Sequence, residues 1–345
     1  MSVLYFIFYR TDILYIKLSF ITSFLEEIQT VVDLNCNKVR LIPILLVGIG
    51  GSLFAATRFG REVYKHKNFT APAFATWFIM SWSGILLPIV IGVAMLSGYN
   101  LSKCKSIISE PYRIYNQFSV GLYIIKVLPL CFLLDGTVFL ASSAMVALSS
   151  FDVTIILLST TPLTYLFTYT CNNQNFNIIK ITGTILSIAG LTVMIIQGIL
   201  FHPPGTDIRM ALASSVFLAL YQISIDSIFK RRMHPLQLAF IQTSIGIYSL
   251  LTFWIPMIVF YYLGLDRFEL HQIPWQSLLL ASISIFIHFS LVHLSHGIIN
   301  PRILLLGRLL AVMLNGIVDT INQEIEFDSL RTSATVLLVT SLWHM

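Results

Sequence analysis

The chain has 345 residues, 56% of them apolar and 11% charged, with a formal net charge of +5 and a mean hydropathy of +0.83. A soluble globular domain carries about 25% charged residues, so there is too little polar material here to clothe a soluble protein of this length. The positive charge falls between apolar blocks and forms no basic face, which argues against nucleic acid as a partner. The four cysteines form no CxxC pair, which argues against a zinc site or a disulfide framework.

Read in chain order, residues 1–38 form an N-terminal segment that does not conform to the rest. Its apolar stretch Val3–Leu25 is interrupted by Arg10, Asp12 and Lys17 and is expected to lie in the interface or not to span. A membrane helix needs roughly 20 mostly apolar residues. Ten such spans are expected, near 40–59, 72–96, 127–148, 151–170, 177–198, 208–230, 236–263, 274–296, 300–319 and 329–345. The apolar blocks are continuous instead of alternating with period two, so helices are expected and not a barrel. The last span ends at Met345 after 17 residues, short for a crossing and compatible with a truncated C-terminus. With the residues before the first span on the cytosolic side, the cytosolic loops carry 11 Lys and Arg and the opposite loops 7. That bias favours cytosolic termini for the bundle. The segment from Arg58 to Lys67 dissents, with four of the seven.

The two halves resemble each other. A shift of 148 lays the run from Asp152 onto the run from Asn300, and a shift of 151 lays Phe176, Lys180, Thr182 and Thr184 onto Phe327, Arg331, Ser333 and Thr335. Prolines recur late in the second span of each half, at Pro88 and Pro256. The expected fold is therefore an all-α integral membrane protein, a ten-span helical bundle of two inverted five-helix repeats, 39–198 and 199–345. An odd number of spans per half forces the repeats into opposite orientations, a construction that places a solute site at mid-membrane between them.

A charge within a span costs roughly 2.5–3.5 kcal/mol on insertion scales and is by default a functional candidate. Asp135 is expected about 8 residues into the third span, roughly 12 Å deep, and Arg308 at a similar depth in the ninth. Arg308, Asn315 and Asp319 share one helix face. The sixth span presents Ser215, Ala219, Gln222 and Asp226 on one stripe with Tyr221 beside it, and the eighth presents Ser284, His288 and Ser295. A water-filled cavity between helices accounts for these faces together. The plainer readings are that Asp135 and Arg308 pair and lock the bundle, that Asp226 is interfacial and that Asp319 is solvated at a helix end. His288, His293 and His296 read as hydrogen-bonded fillers or as a proton relay. Gly48, Gly50, Gly51, Gly183 and Gly190 read as close helix packing, and Pro162 as a kink. No nucleophile triad, phosphate loop or metal-ligand run is present, so neither catalysis, a cofactor nor a metal is expected.

Several stretches resemble solute carrier family 35, subfamily F, of the drug/metabolite transporter superfamily (EamA-like). They are Phe69–Trp82 (FTAPAFATWFIMSW), Ala147–Val153 (ALSSFDV), Ile178–Gly190, Ala219–Tyr221 and Asn315–Asp319 followed by Gln323-Glu324. The resemblance runs from about residue 40 to the C-terminus. It implies a five-plus-five inverted-repeat bundle with a central cavity and alternating access, and thiamine as a substrate proposed for some members. Tyr221-Gln222 stands where the subfamily commonly has Tyr-Lys, and Arg308 where a small or apolar residue is expected. The expected function is secondary transport of a small solute. Thiamine or another organic cation would be held by Asp135, Trp77, Trp82 and Tyr221 through Coulomb and cation–π attraction. The alternative is an anionic, nucleotide-sugar-like or phosphorylated solute held by Arg308, with Gln222, His288 and Asn315 completing either site. The partners are that solute and the lipid bilayer, with a homodimer also compatible. A non-transporting scaffold or receptor would carry a substantial soluble domain, whereas the longest loop is about 30 residues.

Overall fold

The computed structural model describes residues 36–65, 69–115, 117–172, 178–201, 206–229, 234–295, 301–325 and 329–343. Val3–Leu25 and His296 lie outside them. The chain divides into two units, Met1–Leu46 and Val47–Met345. Of the first, only the opening turns of a helix are described; the second holds everything that follows.

Long continuous apolar runs become helices because in lipid every backbone N–H and C=O must be satisfied within its own segment. In order these are α1 (Cys36–Tyr64), α2 (Pro72–Ser81), a 3-10 turn (Trp82–Ile85), α3 (Leu86–Leu96), α4 (Leu101–Ser109), a 3-10 turn (Glu110–Tyr112), α5 (Val120–Met145), α6 (Ser150–Leu158), α7 (Thr160–Asn172), α8 (Ile178–Phe201), α9 (Thr206–Ile228), α10 (Pro235–Thr252), α11 (Trp254–Tyr262), α12 (Trp275–Ser295), α13 (Pro301–Ile321) and α14 (Ser329–Trp343). Among the described residues, nine segments are long and apolar enough to cross a membrane. The expected tenth, α14, has 15 residues, or about 22 Å of helix against a hydrocarbon core of about 30 Å.

Three spans are broken, each by a proline. Proline lacks an N–H, and its ring collides with the carbonyl four residues earlier. Four residues before Pro162 is Leu158, where α6 ends; four before Pro256 is Thr252, where α10 ends. Four before Pro88 is Gly84, inside the 3-10 turn between α2 and α3. There the Leu87 N–H donates to the Thr243 hydroxyl of α10 at 2.8 Å. Gly84 and Gly246 of α10 meet backbone to backbone, so that a Cβ on Gly246 would overlap the Gly84 main chain.

Two boundaries differ from the sequence expectation. The third span starts at Val120 rather than near 127, because the Lys126 ammonium reaches back to the Pro111 carbonyl at 2.8 Å and lies over the Phe229 ring. Its alkyl stem is thereby accommodated within the helix. Asp135 then stands 15 residues from Val120 and 10 from Met145, near the middle of α5 and deeper than expected. The first helix runs on to Tyr64, taking Arg58 and Arg61 out of the loop expected there. The loop after α3 holds α4 and a two-stranded hairpin, β1 (Arg113–Ile114) and β2 (Gln117–Phe118), paired Arg113 with Phe118 and Ile114 with Gln117.

The helices close through α9 on α5 and α7, α14 on α8, α13 on α6, and α10 on α2, α3 and α5. Gly50 of α1 meets Gly307 and Leu310 of α13, and Gly190 of α8 meets Ala334 and Leu338 of α14, as small-residue packing requires. Gly51 faces open space instead. The buried Asp266, in the loop after α11, accepts the Phe74 N–H at 3.2 Å and so caps α2 from another segment. Burial raises its carboxyl to about 6, although the Phe74 and Ala73 N–H groups oppose the shift. The Thr70 and Arg267 backbones pair beside it, at 2.9 and 3.0 Å.

Candidate functional site

A cavity of about 40 Å³ lies among α1, α6, α9, α12 and α13. Its wall combines Leu53, Leu157, Leu158, Leu218, Phe289 and Val292 with six polar side chains: Thr154, Tyr221, Gln222, His288, His293 and Arg308. One water needs roughly 10–15 Å³ by this measure, so the space admits a few waters and no organic solute. A solute of any size requires the helices to part.

Each polar group is positioned by its helix. Tyr221 and Gln222 sit side by side on α9. The Tyr221 hydroxyl and His293 Nε2 are 2.6 Å apart, and Gln222 Oε1 accepts from the Thr164 hydroxyl of α7 at 3.0 Å. His288 Nδ1 lies 3.3 Å from both the Ile49 carbonyl and the Ser52 hydroxyl. The carbonyl is an acceptor only, so the neutral ring is assigned the tautomer with its proton on Nδ1, leaving Nε2 as an acceptor. Arg308, one turn from Leu304 and Leu305 on α13, is 7% exposed. Among the described residues no carboxylate pairs with it. That is the unusual feature of the wall, since an unpaired buried guanidinium costs several kcal/mol.

Four of the eight residues singled out from the sequence therefore line one cavity: Tyr221, Gln222, His288 and Arg308. Asn315 lies one helical stretch away and ties three helices together, its amide donating to the Thr57 and Thr154 hydroxyls at 2.8 Å each. Trp77 and Trp82 belong to an aromatic layer of α2, the adjoining 3-10 turn and α12, with Phe74, Phe78 and Trp275. The Trp77 indole donates to the Leu250 carbonyl at 3.4 Å. Asp135 is buried on α5, outside the wall, and among the described residues its two oxygens have no hydrogen-bond partner. The expected Asp135–Arg308 pair does not form, because the two side chains serve different interfaces.

Sequence reasoning missed a second feature, an ionic clasp. Asp319, expected to be solvated, is fully buried. One oxygen meets Arg58 of α1 at 2.7 Å, and the other accepts the Phe151 N–H in the first turn of α6 at 2.8 Å, where the helix dipole favours negative charge. Arg58 also reaches Glu62 at 3.1 Å and Glu324 at 3.3 Å, and Lys65 meets both of these glutamates at 2.7 Å. At Glu324 burial pushes the carboxyl up, but the Lys65 hydrogen bond and the charges of Lys65, Arg58 and Arg61 outweigh it and leave the group below its usual range. Arg61 donates to the Met145 and Val146 carbonyls at the end of α5, at 2.7 and 2.8 Å. Asp152 and Arg331 pair nearby at 3.3 Å. The i, i+4 spacing of Arg58 and Glu62 was the available signal. It also accounts for the dissenting basic segment, whose Arg58 and Lys65 charges are met by carboxylates.

No protein-family model matches the chain. Over 315 residues, 88% of the chain, it is 21% identical to solute carrier family 35 member F3 of Mus musculus and 20% identical to its Homo sapiens counterpart, covering 73% of each. Over the same length it is 22% identical to member F4 of Mus musculus, covering 64% of that protein. The chain is a homologue of solute carrier family 35, subfamily F. A solved crystal structure, 16% identical, superposes with a TM-score of 0.53 over 86% of this chain and 95% of that one, a likeness of fold. Together with the nine apolar helices, the subfamily F relatives support a multi-pass membrane protein that moves a solute.

Proposed function

We propose that this chain is a secondary transporter that moves a small anionic solute by alternating access, with the Arg308 cavity as its binding site. The observation that carries the reading is the buried guanidinium on the cavity wall with no carboxylate beside it among the described residues. A phosphate or carboxylate is the planar or tetrahedral acceptor a guanidinium fits. Gln222, Tyr221 and Thr154 supply neutral hydrogen bonds, and the leucines and Phe289 hold an apolar body. Thiamine or another organic cation would need a carboxylate at the site; Asp135 is off the wall, and so are Trp77 and Trp82.

In this reading the helices form two inverted halves, α1–α8 and α9–α14, with α14 as a shorter tenth crossing. The matching proline breaks at Gly84 and Thr252, in the second span of each half, support that pairing. The clasp joins α1 and α6 of one half to α13 and Glu324 of the other, so it must loosen when the halves rock. The test is uptake by proteoliposomes of labelled organic phosphates, carboxylates and thiamine, with Arg308→Gln alongside. Saturable uptake of an anion, with a much higher KM in the variant, is expected; saturable uptake of thiamine unaffected by the variant would overturn the reading.

A further inference from the structure

Among the described residues, Asp135 is the one buried carboxyl that the clasp, the helix caps and the cavity leave unused. It is 1% exposed, and among the described residues neither oxygen has a hydrogen-bond partner. From mid-helix on α5 it is about 15 Å from the nearer helix end at 1.5 Å per residue. An ionised carboxylate there would have neither water nor a donor, at a cost of several kcal/mol or more. The neutral acid is the form this setting accommodates.

Among the described residues no charged side chain is paired with it. Of the elements packed against α5, α2 carries no ionisable side chain and α10 only Tyr248. The charged residues of α6 (Asp152) and α9 (Asp207, Arg209, Asp226), and Glu110 of the 3-10 turn, stand at or near element ends. What Asp135 does have is a neighbouring helix that reaches the cavity. Cys131, one turn earlier on α5, is buried as well. Beside Asp135 the helix α5 packs on α9, where Gly136 meets Phe217 and the Thr137 carbonyl accepts the Ser214 hydroxyl at 2.9 Å. Tyr221 in turn lines the cavity and contacts His293.

We propose that Asp135 is a proton-binding site that couples the Arg308 cavity to the proton gradient, with one proton moving alongside one anionic charge. The proposal rests on the Arg308 cavity being the transport site. In the loaded bundle the anion neutralises Arg308 and the proton neutralises Asp135, so no unpaired charge crosses the bilayer. When the halves part and water reaches α5 past Cys131 and Tyr221, the carboxyl O–H breaks. The proton passes to that water and on to the bulk, and the carboxylate remains. In the returning empty bundle the opposite charges of Asp135 and Arg308 cancel only in net charge, since the two side chains serve different interfaces. Asp135 takes up its next proton on the other side.

Two measurements test this on the full chain in lipid. Infrared spectroscopy at neutral pH reads the carbonyl stretch of a protonated carboxyl without any solute. A band present in the wild type and in Asp266→Asn, and absent in Asp135→Asn, is expected. No such band in the wild type, or an unchanged band in Asp135→Asn, would overturn the assignment whatever the cavity does. The second measurement uses proteoliposomes and the organic phosphates and carboxylates of the uptake assay. One pH unit, acid outside, accumulates a monoanion moved with one proton about tenfold. Asp135→Asn should keep anion exchange between equal pools and lose that accumulation. Retained accumulation in the variant overturns the coupling and leaves the cavity reading standing. If anion exchange is absent from wild type and variant alike, the cavity reading fails and the coupling fails with it, while the infrared band reports on the proton site alone.

Discussion

Two arginines set the clasp and the cavity apart. Arg58, 14% exposed, meets three carboxylates, at 2.7, 3.1 and 3.3 Å, whereas Arg308, the more deeply buried of the two, meets none among the described residues. Burying a charge is tolerated when partners replace its hydration, and breaking such a set strands the remaining charge. The clasp is therefore a holding device whose loss is felt in stability. The cavity carries an unmet charge as a standing cost, and its loss is felt in the solute. The contrast separates residues that make the bundle from residues that make it useful.

The largest effect is expected where the clasp is cut at its buried centre. Asp319→Ala removes the Arg58 pair and the acceptor for the Phe151 N–H together, at a cost of about 3–5 kcal/mol. Thermal unfolding in detergent should show a large drop in Tm, and a variant as stable as the wild type would mean that the clasp does not hold the helices. Arg308→Gln should behave in the opposite way. It removes an unpaired buried charge, so Tm should hold or rise, while KM for the transported anion rises about thirtyfold or more, the equivalent of about 2 kcal/mol. A fall in Tm with KM unchanged would make Arg308 structural and erase the contrast.

A third difference lies in pH. Burial holds the Asp266 carboxyl at about 6, above the value near 3.9 of an unfolded chain. The folded state thus binds the extra proton, and this group's contribution is fully present below about 4 and is lost as pH rises through 6. The difference between those two values corresponds to a loss of at most about 3 kcal/mol. Asp266→Asn keeps an acceptor for the Phe74 N–H and should flatten the stability profile between pH 4 and 7, a range set by those two values. A profile as steep as that of the wild type would place the titrating group elsewhere.

What could be read from the sequence followed what each signal depends on. Helices and their membrane setting depend on summed apolarity, which survives errors at single positions, and the breaks depend on proline chemistry that is local. The kink at Pro162 could thus be placed in advance, while Pro88 and Pro256 were legible only as a recurrence between the halves. Periodicity put Gln222, His288 and Arg308 on polar stripes of α9, α12 and α13, of which these members line the cavity and Asn315 and Asp319 do not. Partners could not be read that way. Asp135 and Arg308, attractive as a pair by charge and depth, sit at different interfaces, because helix rotation and neighbour choice are set by packing across the bundle. Asp319 looked solvated because it lies near a helix end, yet Arg58, 261 positions away, covers it. Lys126 looked like a loop residue because a charge normally ends a span, and its reach to the Pro111 carbonyl is visible only in three dimensions.

The smallest effect tests whether the clasp has a core and a rim. Lys65 and Glu62 are each about one-third exposed, against 14% for Arg58 and none for Asp319. Exposed pairs contribute about 0.2–1 kcal/mol and are screened by salt, while buried ones are screened much less. Lys65→Gln should therefore lower Tm slightly at low ionic strength and not at all at high ionic strength, whereas the Asp319→Ala deficit should persist in both. The acid side of the profile should move as well. Glu324 sits below its usual range largely through Lys65, so its contribution is present above the ordinary glutamate value and lost as pH falls. Without Lys65 that loss should begin at a higher pH. If the deficits of both variants vanish together in salt, Asp319 is as wet as the rim, and the clasp is a surface feature that neither holds the bundle nor has to break when it moves.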